Sequence, residues 1–242
     1  MPNVLYGKTK IDYKTKISNN RKTIGISVDY DNGVIVTLPK EISQEEIDKV
    51  VLQKAPWILD KLHEFSEVIV KPSDNEFVSG EKYLYLGRAY RLKVFRKENL
   101  KKPNLVFHRG KFNVEINSDL SEEEQKSIIR NQIRKWFLGK AETFLEKRVN
   151  ILSNKTGIKS QDIKVREQQK RWGSCTKENV LIFNWLIIMA PVPVIDYIII
   201  HELCHLKYPN HSDKFWKEIA VFCPEFQKRR DWLRIHGPEL IF

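Results

Sequence analysis

Two periods alternate along this chain. Over Thr23 to Asp29 the apolar residues Ile24, Ile26 and Val28 fall at every second position, the period of a half-buried strand. Asp31-Asn32-Gly33 then signals a hairpin, Val34 to Leu38 supplies its partner strand, and Pro39 ends it. Residues 1–40 are therefore expected to be strands. At Ser43 the period changes. Ser43 with Glu46 forms a capping box, and Ile47, Val50, Val51, Ala55, Ile58, Leu59 and Leu62 recur at helical spacing. The predicted helix runs from Gln44 to about Phe65, and Pro56 should kink it or split it in two.

The alternation returns over 76–117. Tyr83 to Gly87 and Ala89 to Val94 make one expected pair, and Asn104 to His108 with Lys111 to Ile116 another, joined through Arg109-Gly110. Ser121 with Glu124 opens a second helix, to about Leu152, whose apolar stripe includes Ile129, Ile133, Phe137, Ala141, Leu145 and Val149. Sheet gives way to helix near 117–120. The expected division is thus a β-rich domain with one helix over 1–118 and a second domain over 119–242, in an α+β fold. No internal repeat or low-complexity linker is visible. Lys, Arg and Tyr in the first half would suit a face for nucleic acid or extended peptide, or an ordinary solvated sheet.

Further on, Ile163 to Glu167 and Val180 to Trp185 have strand character, with a polar turn region through Gln168 to Cys175 between them. Pro193 suits the first turn of a helix, which Ile195 to Ile200 mark as core. Ser212 caps a further helix that Pro224 ends, and Glu225 to about Ile235 form the last, carrying Lys228, Arg229, Arg230 and Arg234.

The candidate chemistry lies in the core helix. His201-Glu202-Leu203-Cys204-His205 is an H-E-x-x-H. Four residues advance a helix by about 400°, so His201 and His205 share a face and can hold one metal ion. Glu202 sits about 100° round, placed to hold a water bound to that metal. A catalytic zinc takes three protein ligands and keeps one position open. His211 is the best candidate for the third. A helix running through it would turn it away, so Tyr208-Pro209-Asn210 must stop the helix and reverse the chain. The spacing matches the third histidine of the metzincin pattern. It departs from it at Tyr208, where that pattern has glycine, and no methionine follows to form a Met-turn.

The stretch H-E-L-x-H-L…N-H-S-x-x-F-W, with Arg171-Trp172-Gly173-Ser174-Cys175-Thr176 and Phe183-Asn184-Trp185 before it, resembles the YgjP-like metallopeptidase family. That family is related to the SprT-like proteases, which act on proteins crosslinked to DNA. The resemblance is strongest over about 160–235. It implies a zincin-like metallopeptidase domain with an active-site helix, one Zn²⁺ per chain, His201, His205 and His211 as ligands and Glu202 as the catalytic residue. In zincins an edge strand above the metal helix pairs with the substrate backbone. Ile163–Glu167 or Val180–Trp185 is the expected strand. Arg171, Trp172 and Asn184 either reach the cleft or support the turn, and Arg171 and Tyr208 are candidates to stabilise an oxyanion.

Composition changes this picture in three ways. The 242 residues carry a formal charge of +11, which favours acidic partners, nucleic acid among them. A protease acting only on DNA- or RNA-bound proteins is therefore an alternative to a general zinc metallopeptidase with protein or peptide substrates. A non-catalytic zinc scaffold is another. Cys175, Cys204 and Cys223 are too few and too scattered for a disulfide framework and fit a reducing compartment. Cys204 is expected in the core; contact of Cys175 with the metal in a latent form is a minor alternative. The first residues lack an apolar signal region, and no clean apolar run of about 20 residues exists, so a cytoplasmic protein without a membrane span is expected.

Overall fold

The computed structural model describes residues 2–7, 9–18, 23–29, 33–39, 42–66, 75–168, 171–240 and 242. The fold is α+β, with sheets preceding a helical region. The chain divides into two units, Met1–Ile69 and Val70–Phe242.

In the first unit, strands β1 (Asn3–Tyr6), β2 (Thr9–Ile17), β3 (Gly25–Asp29) and β4 (Gly33–Leu38) form a sheet ordered β1-β2-β4-β3. β2 and β4 run parallel; the outer pairs are antiparallel. Asp31 and Asn32 of the expected hairpin lie outside the described residues, while Gly33 has φ +68°. The predicted helix is split. α1 (Gln44–Gln53) and α2 (Ala55–Ser66) meet at Lys54. Pro56 causes this, because it has no N–H to give the Leu52 carbonyl and its ring collides with it. Ile47, Val51, Ala55 and Ile58 pack on Val4, Ile11, Tyr13, Val34, Val36 and Leu38 in a core of their own.

The second unit opens with β5 (Lys82–Tyr85), β6 (Arg88–Lys97), β7 (Asn104–His108) and β8 (Lys111–Asn117), ordered β5-β6-β8-β7. Again the inner pair is parallel and the outer pairs antiparallel. This is the topology of the first unit repeated, and it corrects the expectation of no internal repeat. The two copies share strand order and a capped helix, but few identities beyond Ser-x-Glu-Glu at residues 43–46 and Ser-Glu-Glu-Glu at 121–124. Register and burial are preserved without sequence being preserved.

The helix that follows, α3 (Glu122–Thr156), runs for 35 residues. Ser121 accepts from the Glu124 N–H, and the Glu124 carboxylate accepts from the Ser121 N–H and hydroxyl. Gly157, at φ +73°, ends the helix in the left-handed region. Its buried residues Ile129, Ile133, Phe137, Ala141, Leu145, Val149 and Leu152 follow the predicted stripe. They belong to one core with Phe112 and Val114 of β8 and with Ile195, Ile199 and Leu203 further on. The boundary expected near 118 therefore falls inside a continuous core, and the chain divides at 69/70 instead.

Beyond α3 lie β9 (Asp162–Arg166), β10 (Gly173–Cys175) and β11 (Val180–Asn184), ordered β10-β11-β9. A 3₁₀ turn, Trp185–Met189, leads into α4 (Val192–His205), with Pro193 in its first turn. The tip of the β5–β6 hairpin fixes where α4 begins. Leu86 and Gly87 donate N–H bonds to the carbonyls of Ile188 (2.9 Å) and Met189 (3.0 Å). Gly87 has φ +78°, and a Cβ there would lie 2.8 Å from the Pro191 Cα, so the close approach requires glycine. From the other side Arg148 of α3 grips Asp196 of α4 with two bonds, at 2.5 and 2.6 Å. Two more helices, α5 (Asp213–Phe222) and α6 (Phe226–His236), pack against α4. Among the described residues no helix is long and apolar enough to cross a membrane.

Candidate active site

α4 places His201 and His205 one turn apart, and their Nε2 atoms lie 3.1 Å from each other. After His205 the helix stops. The Leu206, Lys207 and Tyr208 N–H groups turn back onto Leu203 and Cys204 carbonyls, and the chain reverses through Pro209 and Asn210. His211 returns as the spacing required, with its Nε2 3.1 Å from that of His201. Ser212 then caps α5 by accepting from the Phe215 N–H. Phe215 is fully buried and stacks on the His205 ring, while Trp216 stacks on His211. The second ligand candidate and the third are therefore each held by an aromatic ring of α5.

The three histidines fit a metal. Their ligand atoms all lie within 4.8 Å of one another. Nitrogens about 2.0–2.1 Å from a tetrahedral zinc stand about 3.3 Å apart, close to the observed spacing. Hydrogen bonding within the trio is a poor substitute. The His205 Nδ1 lies 3.1 Å from the Tyr208 carbonyl, so it carries the proton and leaves the Nε2 a bare lone pair. Among the described residues, the buried His201 Nδ1 has no hydrogen-bond partner. Burial, with His205 and His211 adding, pushes the His201 pKa down to about 3, and burial and His205 lower that of His211. Neutral imidazoles with converging lone pairs are what a metal takes.

Glu202 is 5% exposed. Burial raises its pKa to about 7, against the opposing pull of Arg171. It lies on the walls of two cavities, of about 730 and 340 Å³, which both include Gly173, His201 and Glu202 in their linings. Gly173 is in β10, and a Cβ there would sit 2.7 Å from the Glu202 Cγ. The glycine is what lets the strand pass so close to the carboxylate.

That strand corrects two expectations. The stretch through Cys175 was expected as turn, but Gly173–Cys175 pairs with β11. And the strand beside α4 is β10, neither of the two expected. β11 is central in its sheet and β9 lies at the far edge, so among the described strands β10 offers the edge next to Glu202. A short strand with glycine and serine has almost no propensity signal, and only pairing with β11 creates it. Arg171 lines the larger cavity and Trp172 the smaller. Asn184 does not reach either. It is buried, donates to the Gln168 carbonyl (2.8 Å) and accepts from the Leu186 N–H, tying the turn region to the 3₁₀ segment. Tyr208 serves through its backbone carbonyl. Cys175 lines the larger cavity but is not in the histidine group, and burial, with Glu202 adding, raises its pKa. Cys204 is fully buried.

A comparison with family models matches residues 22–236 to the YgjP-like metallopeptidase domain. The chain belongs to the YgjP-like family. It is thus a metallopeptidase, a class that works with a bound metal ion. Two solved structures are similar to it over a shorter span. The metallopeptidase zymogen of Pyrococcus abyssi abylysin is 21% identical, covering 36% of this chain and 90% of that one, with a TM-score of 0.32. The metallopeptidase zymogen of Methanocaldococcus jannaschii jannalysin is 25% identical, covering 36% and 92%, with a TM-score of 0.31. No curated protein matches the chain.

Proposed function

We propose that this YgjP-like metallopeptidase is a zinc enzyme that hydrolyses peptide bonds, with His201, His205 and His211 as ligands and Glu202 as the general base. The convergence of three Nε2 atoms beside a buried carboxylate, on the wall of an open cleft, carries this reading. Zinc held there would supply a Lewis acid and lower the pKa of a water. Glu202 would orient the attacking water, accept its proton and pass it to the leaving amine. The outer edge of β10 takes the substrate as an added strand and brings its backbone past Glu202. Phe215 and Trp216 hold the ligand rings in orientation.

Metal content and cleavage test it together. Wild type should carry about one zinc per chain, and His205→Ala should lose it. Casein cleavage should fall about a hundredfold or more in Glu202→Gln while zinc is retained. No metal in wild type after incubation with zinc would sink the reading. Zinc bound with no cleavage by wild type, and unchanged behaviour in Glu202→Gln, would leave a scaffold; cleavage that survives Glu202→Gln would remove Glu202 as the base. A second reading, in which the substrates are proteins bound to DNA or RNA, is favoured by the +11 charge. It expects binding to DNA that weakens steeply with salt, and stimulation of cleavage by DNA.

A further inference from the structure

The two cavities that meet at Gly173, His201 and Glu202 share a charge pattern. The larger is also lined by Arg171 and Lys177, the smaller by Arg230 and Arg234. Glu202 is the only acid among the described residues of either lining. The smaller cavity is the more specific of the two. Trp172 of the turn before β10 and Tyr197 of α4 contribute its aromatic walls, and α6 contributes both arginines and Leu233. Arg234 has Asp231 nearby, at 3.8 Å. Arg230 has no carboxylate partner among the described residues. Its guanidinium lies over the Trp216 ring instead, 5.8 Å from the centroid. Trp216 in turn stacks on His211, so α5 links the arginine's position to the candidate metal ligands.

An exposed arginine beside an indole, with no hydrogen-bond partner among the described residues and lining a cleft next to Glu202, is suited to receive a carboxylate. We propose that the smaller cavity is a substrate subsite for a carboxylate, with Arg230 as its principal donor and Arg234 in support. This rests on the reading of the site as a peptidase and adds the substrate class to it: peptides with an acidic group next to the bond that is cut. The carboxylate is either an Asp or Glu side chain or the terminal carboxylate of the substrate. Both present the same planar pair of acceptors to the guanidinium fork. A lysine or arginine in the same place would face two like charges and no acid other than Glu202.

Binding and cleavage, measured separately, test it. The probes are short alanine-based peptides with one Glu or one Gln moved position by position, each made with a free and an amidated C-terminus. Binding is measured by calorimetry on the zinc-loaded Glu202→Gln variant, and cleavage on wild type. Arg230 is exposed, so the preference for Glu over Gln at one position should be roughly five- to tenfold. Arg230→Gln should bring that ratio to about one and Arg230→Lys should restore part of it, while Arg230→Glu should favour a Lys-bearing probe. A preference that follows Glu identifies a side-chain subsite; one that follows the free terminus and is lost on amidation identifies terminal recognition. A Glu preference in binding with no cleavage would uphold the subsite and remove the peptidase reading. Cleavage with a Glu-to-Gln ratio near one, or a ratio that survives Arg230→Gln, would overturn the subsite and leave the peptidase standing. Failure of every probe to bind would overturn it as well.

Discussion

The first unit and the first half of the second are built on one plan. Each sheet has an antiparallel pair at either edge and a parallel pair inside, and each is followed by a serine-capped helix. They part after the cap. In the first unit the helix lasts ten residues, breaks at Lys54 before Pro56, and restarts. In the second it continues for 35 residues without a proline. The short version closes a small core on its own sheet. The long version lays its first turns on β8 and carries its stripe on to meet α4, where Arg148 grips Asp196. The short helix breaks at a proline, and the long one, which has none, joins a sheet to the helix that carries the histidines.

Removing one central side chain from each copy should show the difference at full size. Ile58 and Phe137 stand at similar distances after their capping serines, and neither is exposed. Phe137→Ala should cost about 3–5 kcal/mol and Ile58→Ala about 2–5 kcal/mol in urea unfolding. Phe137→Ala should also abolish peptide cleavage at temperatures where wild type is active. A cost under about 1 kcal/mol at Phe137 would mean that α3 is not the spine.

Exchanging the proline is the next test. Lys135→Pro puts the ring inside α3, near the place that corresponds to Pro56, and should cost about 3 kcal/mol or more. Pro56→Ala should change stability by less than about 1 kcal/mol, because Pro56 occupies the first turn of α2, where its missing N–H is not needed. Equal effects at the two positions would break the comparison.

The caps give smaller effects. Ser43→Ala and Ser121→Ala should each cost about 1 kcal/mol. Their glutamates should differ. The Glu124 carboxylate accepts from the Ser121 N–H and hydroxyl, whereas Ser43 caps in one direction only. Thermal melts should therefore register Glu124→Ala more than Glu46→Ala. The Ser121 backbone bond, and then its hydroxyl, hold the Glu124 pKa below its ordinary value. Its stabilisation is present in full above the ordinary carboxylate range and is lost as pH falls through the lowered value. Melts in acid should find wild type and Glu124→Ala converging. A difference that persisted there would remove the charge from the explanation.

Much of this was legible because it is local. The H-E-x-x-H spacing puts two histidines on one face of any helix that forms there, and Tyr208-Pro209-Asn210 marks where it must stop. Ser43, Ser121, Pro56 and Arg109-Gly110 each act within a few residues of themselves, so caps, split and hairpin could be anticipated. β10, the repeat and the division at 69/70 could not. Gly173 looks like a turn residue until β11 lies beside it, and its function is to leave room for a carboxylate 29 positions away in sequence. Its signal was the Trp-Gly-Ser-Cys block that the family resemblance singled out. Arg230 looked like one of four basic residues on an exposed helix face. Packing of α6 against α4 brings it to the cleft, beside Trp216.

Covalent spacing and backbone sterics dictate the periodicities, the helix ends and the identity of the metal-ligand candidates, so these are readable along the chain. Folding settles which strand edge flanks Glu202, that the His211 Nε2 comes within 3.1 Å of that of His201, and which cations line the cleft. Those depend on contacts between residues far apart in the chain, and such contacts are fixed by how buried surfaces fit, which no local pattern encodes.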